Sequence, residues 1–390
     1  MEMPYQQLGS IKTPDGELNS MICFDVDRPN EAMVHGWAAV DGANPVAILF
    51  DVQWSGSKAK LTPRLRFLPH EVNGEIALRQ PTAPEEAAHF FGIRGELVVL
   101  KNKSIRGTWT NPKGANGTFK YRAPAPHDAR VQATMCKDWA GFKHWATVQR
   151  GSQGMALFRG HGDSRFRLTT TLHREGRTRL ERYCGETLQQ FKAHAEAVLG
   201  LPFNLSNGDD YSMLLGLAQH HGLPTPLLDW TDSAYIAAFF AFSDALNSAA
   251  VRPGATHVRV YGLSRRFLDT EYQPVVVVPF MRPYVRPLAI SARNNPRLYA
   301  QQGKFLVTNI ADLEHFICTI QNQAGRSDLI AADVPISCAE DALTDLRFMG
   351  LTAATMFPGL DGVCRMMRNE MSFRTVPTQV LSKPSGESVT

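Results

Sequence analysis

The pattern of apolar residues changes near residue 125, and this change limits the chain to folds built from two unlike units. Before it, short runs of apolar or alternating residues are separated by turn signals of glycine, asparagine, aspartate and proline. Residues 105–122, IRGTWTNPKGANGTFKYR, show alternation, a turn and alternation again, which is typical of a hairpin. Residues 1–125 are therefore predicted to form an all-β barrel or sandwich of about seven strands.

After that change the chain combines helical and strand patterns. Residues 138–150 carry apolar side chains at helical spacing, and residues 154–160, GMALFRG, are typical of a buried strand. Thr178 and Ser337 each stand three residues before a glutamate, and this capping-box pattern predicts that helices begin there. Residues 130–378 are therefore predicted to form a mixed α/β unit, so the predicted fold class of the whole chain is α+β.

The same reasoning places further elements in the second unit. Helices are predicted at residues 210–221, 232–247 and 357–371, and strands at residues 256–263, 274–280 and 303–309. Residues 379–390 lack apolar anchors and are predicted to be a flexible tail.

The composition argues against several classes of protein. The chain is 44% apolar and 20% charged, and its formal charge of +4 is too small to indicate a nucleic-acid binder by itself. No run reaches the roughly 18 residues that a membrane span needs, and the N-terminus has no cationic and apolar signal region. The six cysteines are scattered singly, without metal-ligand spacing. We therefore expect a cytoplasmic protein without a metal site.

Arg159 ends the apolar strand and invites two interpretations. The first is a structural ion pair with Asp229 as its partner, because a buried charge without a partner is costly. The second is anion binding, because the guanidinium fork suits phosphate or carboxylate, Gly160 lets a ligand approach the backbone, and His161 adds positive potential. The arginines between residues 174 and 182 are predicted to be a solvated helix face.

Gln219 and His220 lie at a predicted helix end, where the helix dipole favours a protonated histidine. A metal site is not expected there, because the adjacent His220 and His221 point in different directions on a helix. These residues are instead candidates for ligand binding.

A second polar group follows at the start of the next predicted helix. It contains Asp229, Trp230, Thr231, Asp232 and Ser233. Helix capping explains one or two of these side chains. A polar group at a helix N-terminus also suits a ribose or a phosphate.

Gln301 and Gln302 precede Gly303 and a predicted strand. Their amides can orient hydroxyl or amide groups by hydrogen bonds, but they do not titrate and are poor general bases. From the residues alone they are interpreted as loop residues.

Four separated stretches resemble, in order, the FRG domain family. They are residues 158–160 (FRG), 219–231 (QHHGLPTPLLDWT) with 237–241 (AAFFA), 295–305 (NPRLYAQQGKF) and 357–362 (FPGLDG). The resemblance covers about residues 138–370. The family usually has arginine where this chain has Pro226, so any contact of that arginine is absent here. The resemblance implies a bacterial or phage protein, in some cases with a toxin or anti-phage defence role.

The motif order is also similar to that of ADP-ribosyltransferases of the Arg–Ser–Glu kind. This resemblance implies that Arg159 holds the phosphates or ribose of NAD, and that Thr231 and Ser233 orient its ribose. Gln301 or Gln302 would then occupy the usual glutamate position, where glutamine carries no charge. Three outcomes then stay open: a slow enzyme, a charge supplied by another acid such as Asp229, Asp232 or Asp163, or a site that binds a nucleotide-like ligand without catalysis.

The resemblances imply a cytoplasmic effector that uses NAD, with a protein or nucleic-acid acceptor and a protein partner for residues 1–125. The catalytic candidates are Arg159, Thr231, Ser233, Gln301, Gln302 and Asp229, and the binding candidates are Arg159, Gly160, His161, Gln219, His220 and Trp230. Two alternatives stay open. One is a sensor or interaction module that binds a nucleotide-like ligand without catalysis. The other is a nucleic-acid binding or processing protein, because several arginines could line a phosphate groove.

Overall fold

The computed structural model describes residues 4–38, 45–69, 76–124, 130–152, 154–247, 252–270, 282–288, 290 and 296–374. The strands in these ranges are β1 (Gln6–Thr13), β2 (Gly16–Asp25), β3 (Arg28–Ala38), β4 (Val46–Ser55), β5 (Lys58–Pro69), β6 (Ile76–Leu78), β7 (Arg94–Val99), β8 (Ile105–Thr110), β9 (Asn116–Arg122), β10 (Ala133–Met135), β11 (Met155–His161), β12 (Leu227–Thr231), β13 (His257–Ser264), β14 (Val285–Leu288), β15 (Gly303–Thr308) and β16 (Leu329–Pro335).

The α-helices are α1 (Pro84–Phe91), α2 (Trp139–Ser152), α3 (Thr171–Arg174), α4 (Leu180–Arg182), α5 (Leu188–Leu199), α6 (Gly208–His220), α7 (Ala234–Asn247), α8 (Arg265–Thr270), α9 (Pro296–Ala300), α10 (Leu313–Gln323), α11 (Ala339–Phe348), α12 (Ala353–Met356) and α13 (Leu360–Arg374). A π turn joins α4 to α5, and a 3-10 turn precedes α11. Within the described ranges, no helix has both the length and the apolar character that crossing a membrane requires.

The first unit is a closed antiparallel barrel. Its strands follow the order β4-β3-β2-β1-β9-β8-β7-β5, and β5 pairs back with β4, while the short β6 extends one end of β5. The buried side chains of Ile22, Phe24 and Ile105 are part of its interior, and the hydroxyl groups of Tyr121 and Ser20 lie 2.8 Å apart. The predicted all-β barrel is confirmed, with eight strands in the ring where about seven were expected.

The second unit is a seven-stranded sheet with helices around it, which confirms the α+β class. The strand order is β10-β16-β13-β11-β12-β15-β14, and the one parallel pair in the described sheet is β10 with β16. Strands β11 and β12 pair only through Phe158 and Thr231, whereas every other neighbouring pair in this sheet shares at least three residue pairs. The sheet is therefore divided into two parts that diverge beyond this single pair.

Helix α7 packs closely against β11. A Cβ atom on Gly160 would overlap the carbonyl oxygen of Ala237 and would meet the Ala241 Cβ at 3.0 Å. The helix begins at Ala234, two residues later than predicted, because Thr231 still belongs to β12. Small residues on both elements therefore bring the helix against the strand beside the division of the sheet.

A helix begins near the predicted position, since α4 starts at Leu180, but the capping box predicted at Thr178 is wrong. The Thr178 hydroxyl group donates to the carbonyl oxygens of Phe24 and Tyr5, at 2.8 and 3.0 Å, and so binds the barrel. The Asp25 carboxylate of the barrel accepts from the backbone N–H groups of Thr178 and Arg179, at 2.8 and 3.1 Å, immediately before α4. An acidic side chain from the other unit thus supplies the negative charge that favours this helix start.

The second capping-box prediction, at Ser337, is also wrong. A 3-10 turn over Ile336–Cys338 precedes α11, and the first helical residue, Ala339, follows Cys338, whose side chain makes no capping hydrogen bond. Ser337 therefore lies inside a turn and does not begin the helix.

The arginines between residues 174 and 182 are not all solvated, so that prediction is wrong in part. The Arg179 side chain is 4% exposed and pairs with Glu31 of the barrel and with Glu181. Arg182 pairs with Asp25 at 2.9 Å and Asp27 at 2.6 Å. These arginines are therefore part of the interface between the two units, while Arg174 remains exposed.

A buried glutamine forms a second contact between the units. The Gln6 side chain of β1 donates to the carbonyl oxygen of Asn309 at 2.7 Å and accepts from the N–H of Ala311 at 2.8 Å. The strand predicted at residues 274–280 and the tail predicted at 379–390 lie outside the described residues. The boundaries predicted at residues 125 and 130 stay predictions; β9 ends at Arg122 and β10 begins at Ala133.

We predict that Asp25→Ala destabilises the protein by roughly 3–5 kcal/mol, because it leaves two backbone donors and part of the Arg182 guanidinium without their acceptor in a buried interface. Denaturant unfolding of the full chain measures this change. Asp15→Ala, in the exposed turn between β1 and β2, is the matched control. Equal stability of the Asp25 variant and the wild type would contradict the proposed interface.

Candidate functional site

A cavity of about 340 Å³ lies between α6 and α7, where β11 and β12 diverge. We call it the site cavity. It is lined by Phe158, Arg159, Gly160, Gly216, Gln219, His220, Asp229, Trp230, Thr231, Ala237, Phe240, Arg297, Leu298, Gln301, Gly303, Lys304, Phe305 and Phe357. Eight of the eleven predicted site residues are among them; His161, Ser233 and Gln302 are not.

Arg159 spans the gap between the diverging strands. Its Nη1 donates to the backbone carbonyl oxygen of Asp229 and lies 3.9 Å from the Asp229 carboxylate. The side chain is 16% exposed. Burial lowers the pKa of Arg159 and the Asp229 charge opposes that shift, but arginine stays protonated in proteins. Within the described residues, its Nη2 makes no hydrogen bond, so one face of the fork is available to a ligand.

His161 does not line the site cavity, but it binds the Arg159 side chain. The Arg159 Nε donates to the His161 Nε2 at 3.1 Å, so that nitrogen carries no proton. Burial, and after it the Arg159 charge, hold the pKa of His161 well below its usual range. The ring is therefore neutral, and it does not add the positive potential that we expected from the sequence. Its contribution is to fix the direction of the guanidinium group.

Gly160 lines the cavity for a different reason from the one expected. The space on its Cα is taken by Ala237 of α7. Close approach of the helix, and not of a ligand, accounts for the glycine.

Asp229 and Gln219 form a hydrogen-bonded pair at the cavity wall. The Gln219 amide donates to the Asp229 carboxylate at 2.9 Å, and the amide oxygen accepts from the Thr225 hydroxyl group. Because Thr225 donates to the oxygen, the nitrogen of Gln219 must face Asp229. The Asp229 side chain is 56% exposed, so its carboxylate can accept further hydrogen bonds from a ligand.

Thr231 and Ser233 occupy different positions. Thr231 is 5% exposed and lines the cavity, and its hydroxyl group accepts from the Ser233 N–H at 3.2 Å. The Ser233 hydroxyl group accepts from the Ile236 N–H at 3.4 Å, in the first turn of α7. Ser233 therefore acts at the helix start, and of the two only Thr231 belongs to the cavity wall.

The two glutamines also separate. Gln301, next to the end of α9, lines the cavity, and its amide donates to the carbonyl oxygen of Met356 at 3.0 Å. Gln302 has a positive φ of 48° and is exposed. Its carbonyl oxygen accepts from the N–H of Asp232. Gln301 is therefore the candidate for ligand contact. Gln302 forms the turn into β15.

Trp230 and His220 complete the predicted set. Trp230 is 2% exposed and packs in the core, and its indole N–H has no partner among the described residues. His220 ends α6 and its ring lies 4.9 Å from that of His221. No group of three potential metal-ligating side chains is placed to hold a metal ion in the part of the chain that the structure describes.

The sequence-based site lacked ten residues that line the cavity, among them Phe240, Phe357, Arg297 and Lys304. Phe240 and Phe357 meet edge to face, with ring centroids 5.8 Å apart. Arg297 lies 5.7 Å from the Phe357 ring and 3.5 Å from Asp361, and Lys304 lies 3.6 Å from Asp232. Arg297, Lys304 and Phe357 belong to the quoted motifs, and Phe240 belongs to the AAFFA stretch that accompanies the second of them, so those motifs were the signal.

The comparisons with known proteins identify one region. A family model described as FRG domain matches residues 154–250. A comparison with curated proteins found no match. The wider extent of the resemblance, to about residue 370, stays a prediction.

Two solved structures of designed proteins were also found. A redesigned beta barrel has a TM-score of 0.20 at 11% identity and covers 32% of this chain and 92% of its own. A de novo designed fluorescence-activating beta barrel has a TM-score of 0.18 at 14% identity and covers 31% of this chain and 94% of its own. TM-scores this low carry no argument about fold or function.

The matched region supplies Arg159, Gln219, Asp229 and Thr231 to the site cavity. The similarity to the FRG domain model is therefore limited to residues 154–250 of the 390-residue chain.

Proposed function

We propose that the site cavity binds NAD and that the protein breaks the bond between nicotinamide and ribose, passing ADP-ribose to an acceptor or to water. One observation carries this proposal. Three separated parts of the sequence line the same cavity, with Arg159 from the first, Gln219, Asp229 and Thr231 from the second and Gln301 from the third. A cation, a carboxylate, a hydroxyl group and two amides are the groups that a nucleotide needs for its phosphates and riboses.

The charge of the cavity suits a diphosphate. Its lining contains three cations, Arg159, Arg297 and Lys304, and each has one carboxylate beside it, of Asp229, Asp361 and Asp232 respectively. Arg297 and Lys304 lie 3.5 and 3.6 Å from their carboxylate partners. These loose pairs can exchange a protein carboxylate for a ligand phosphate, and the free face of Arg159 fits two phosphate oxygens.

Other residues that line the cavity suit a ribose and an aromatic ring. Two neighbouring ribose hydroxyl groups can donate to the exposed oxygens of Asp229, which Gln219 holds in place. Phe240 and Phe357 offer ring surfaces for nicotinamide.

The chemistry follows from charge movement in the bond that breaks. Nicotinamide leaves with the bonding electron pair and becomes neutral, so positive charge moves from its ring to the ribose C1′ and ring oxygen. The nearby Asp229 carboxylate stabilises that oxocarbenium-like state. Water or an acceptor group then attacks C1′ and loses a proton to Asp229 or to solvent. Arg159 keeps the diphosphate in place throughout.

Gln301 is not a simple substitute for the glutamate of Arg–Ser–Glu enzymes. Its amide nitrogen donates to the Met356 carbonyl oxygen, so its oxygen remains for a ribose hydroxyl group. In our proposal Gln301 binds and Asp229 supplies the charge.

An activity that consumes NAD or modifies a macromolecule suits a toxin or anti-phage effector acting in a cytoplasm. In this role the barrel recognises a partner or restrains activity. Its close contacts to the residues before α4 support a fixed arrangement of the two units.

A second candidate function is a sensor that binds a nucleotide without turning it over. The neutral Gln301 favours this sensor function, because ADP-ribosyltransferases of the Arg–Ser–Glu kind use a charged glutamate at the corresponding position. The nucleic-acid alternative has less support, because Arg179 and Arg182 are occupied by carboxylates of the barrel.

We predict that Asp229→Asn lowers nicotinamide release from NAD by about 10²- to 10³-fold, because it removes one preorganised electrostatic contact to the cationic ribose. The substitution keeps the oxygen that faces Gln219, so NAD affinity should change only a few-fold. Turnover of labelled NAD with candidate acceptors measures the rate, and calorimetry measures the affinity.

Asp341→Asn, at an exposed position in the first turn of α11, is the matched control and should keep full activity. If the wild type binds NAD but leaves it unchanged, the sensor function would be favoured over the enzyme function. A wild type that binds no NAD would end both.

We predict that Gln301→Glu does not create a more active enzyme. The variant should instead lower the free energy of unfolding by about 1 kcal/mol, because a carboxylate would face the Met356 carbonyl oxygen without a donor between them. Thermal unfolding at neutral pH, beside the NAD assay, tests this. Gln302→Glu, at the exposed neighbouring position, is the control. A large gain in turnover for the Gln301 variant would show that this residue occupies the glutamate position.

A further inference from the structure

A second cavity, of about 950 Å³, borders the site cavity. Both are lined by Gly303, Lys304 and Phe305 of β15. Helix α6 also runs along both, with Gly208, Asp209 and Ser212 at the second cavity and Gly216, Gln219 and His220 at the site cavity. At 1.5 Å per residue, this helix face extends over about 18 Å. The two cavities therefore form neighbouring compartments along one helix.

The contact between the compartments is close. Ile290 lines the second cavity and Gly216 lines the site cavity. A Cβ atom on Gly216 would lie 2.9 Å from the Ile290 side chain, so the glycine lets Ile290 approach α6 at the boundary. Lys304 is 55% exposed and lines both compartments. A ligand that extends from one to the other would pass its ammonium group.

The second cavity is lined by three cations, Arg150, Arg265 and Lys304, and by the carboxylates of Asp209 and Asp232. The side chains of Arg150 and Arg265 are exposed and make no hydrogen bond or ion pair within the described residues. Apolar groups stand beside them, among them Leu268, Pro287 and Leu288. Unpaired cations next to an apolar surface suit an anion attached to a flat, weakly polar ring, which describes a nucleoside phosphate.

We propose that the second cavity holds the adenylate half of the dinucleotide, with Lys304 at the diphosphate between the two halves. This inference rests on the proposed function, in which the site cavity holds the nicotinamide half. It assigns the protein a dinucleotide ligand and gives Arg150 and Arg265 a binding role at the phosphate of the adenylate half.

The test compares two ligands, NAD and nicotinamide mononucleotide, by calorimetry on the full chain. We expect the wild type to bind NAD at least tenfold more tightly than the mononucleotide. The double variant Arg150→Glu, Arg265→Glu should lose at least tenfold in NAD affinity, because both reversed charges repel the adenylate phosphate, and should bind the mononucleotide within twofold of the wild type. Both positions are exposed, so folding should persist. Lys113→Glu, in the exposed turn of the β8–β9 hairpin, is the control and should change neither affinity.

The outcomes separate this inference from the proposed function. Mononucleotide binding with no additional affinity for NAD, or an equal loss for both ligands in the double variant, would overturn the second compartment and leave the site cavity intact. A wild type that binds neither ligand would overturn both proposals.

Discussion

The single pairing between Phe158 and Thr231 is the constraint on which the candidate site depends. A continuous ladder at this position would have brought β11 and β12 to the usual spacing of a sheet and closed the space between them. The divergence beyond one pair leaves a gap that the Arg159 side chain crosses to reach the Asp229 backbone. The guanidinium group therefore replaces missing backbone hydrogen bonds and also faces the cavity.

The surroundings of Arg159 explain how one side chain can have both roles. Its Nε and Nη1 are used by His161 and by the Asp229 carbonyl oxygen, which fixes the plane of the fork. A neutral histidine is suited to this position, because a charged ring would repel the guanidinium group. The structural and the ligand-binding interpretations of Arg159 are thus compatible, and the sequence could not have separated them.

Sequence patterns predicted correctly the strands and helices whose formation depends on residues close together in the chain. Alternation indicated the barrel strands, and the alanine and phenylalanine residues of α7 indicated a buried helix. Arg159 and Asp229 stood out because they interrupt apolar runs. Phe240 and Lys304 stand in the quoted motifs but were not chosen as site residues, because only the packing of α7 and β15 around the gap brings them to the cavity.

The error at Thr178 has a clear physical cause, which is competition from groups that are distant in the sequence. Thr178 has the residues of a capping box, yet barrel carbonyl oxygens take its hydroxyl group. Gln301 and Gln302 are identical neighbours, and only the turn at Gln302, with its φ of 48°, sends one to the cavity and the other to the surface. Local sequence indicates which partners a residue can accept, and the tertiary fold decides which of them it meets.

The role of Asp25 has a consequence for how such a chain can be recombined. The covalent connection between the units is short, but part of the hydrogen bonding before α4 is supplied by a carboxylate located about 150 residues earlier. Transplanting residues 130–374 behind an unrelated module would leave those N–H groups, and the arginines beside them, facing water or a mismatched surface. A replacement module would need an acidic turn of its own at the same place.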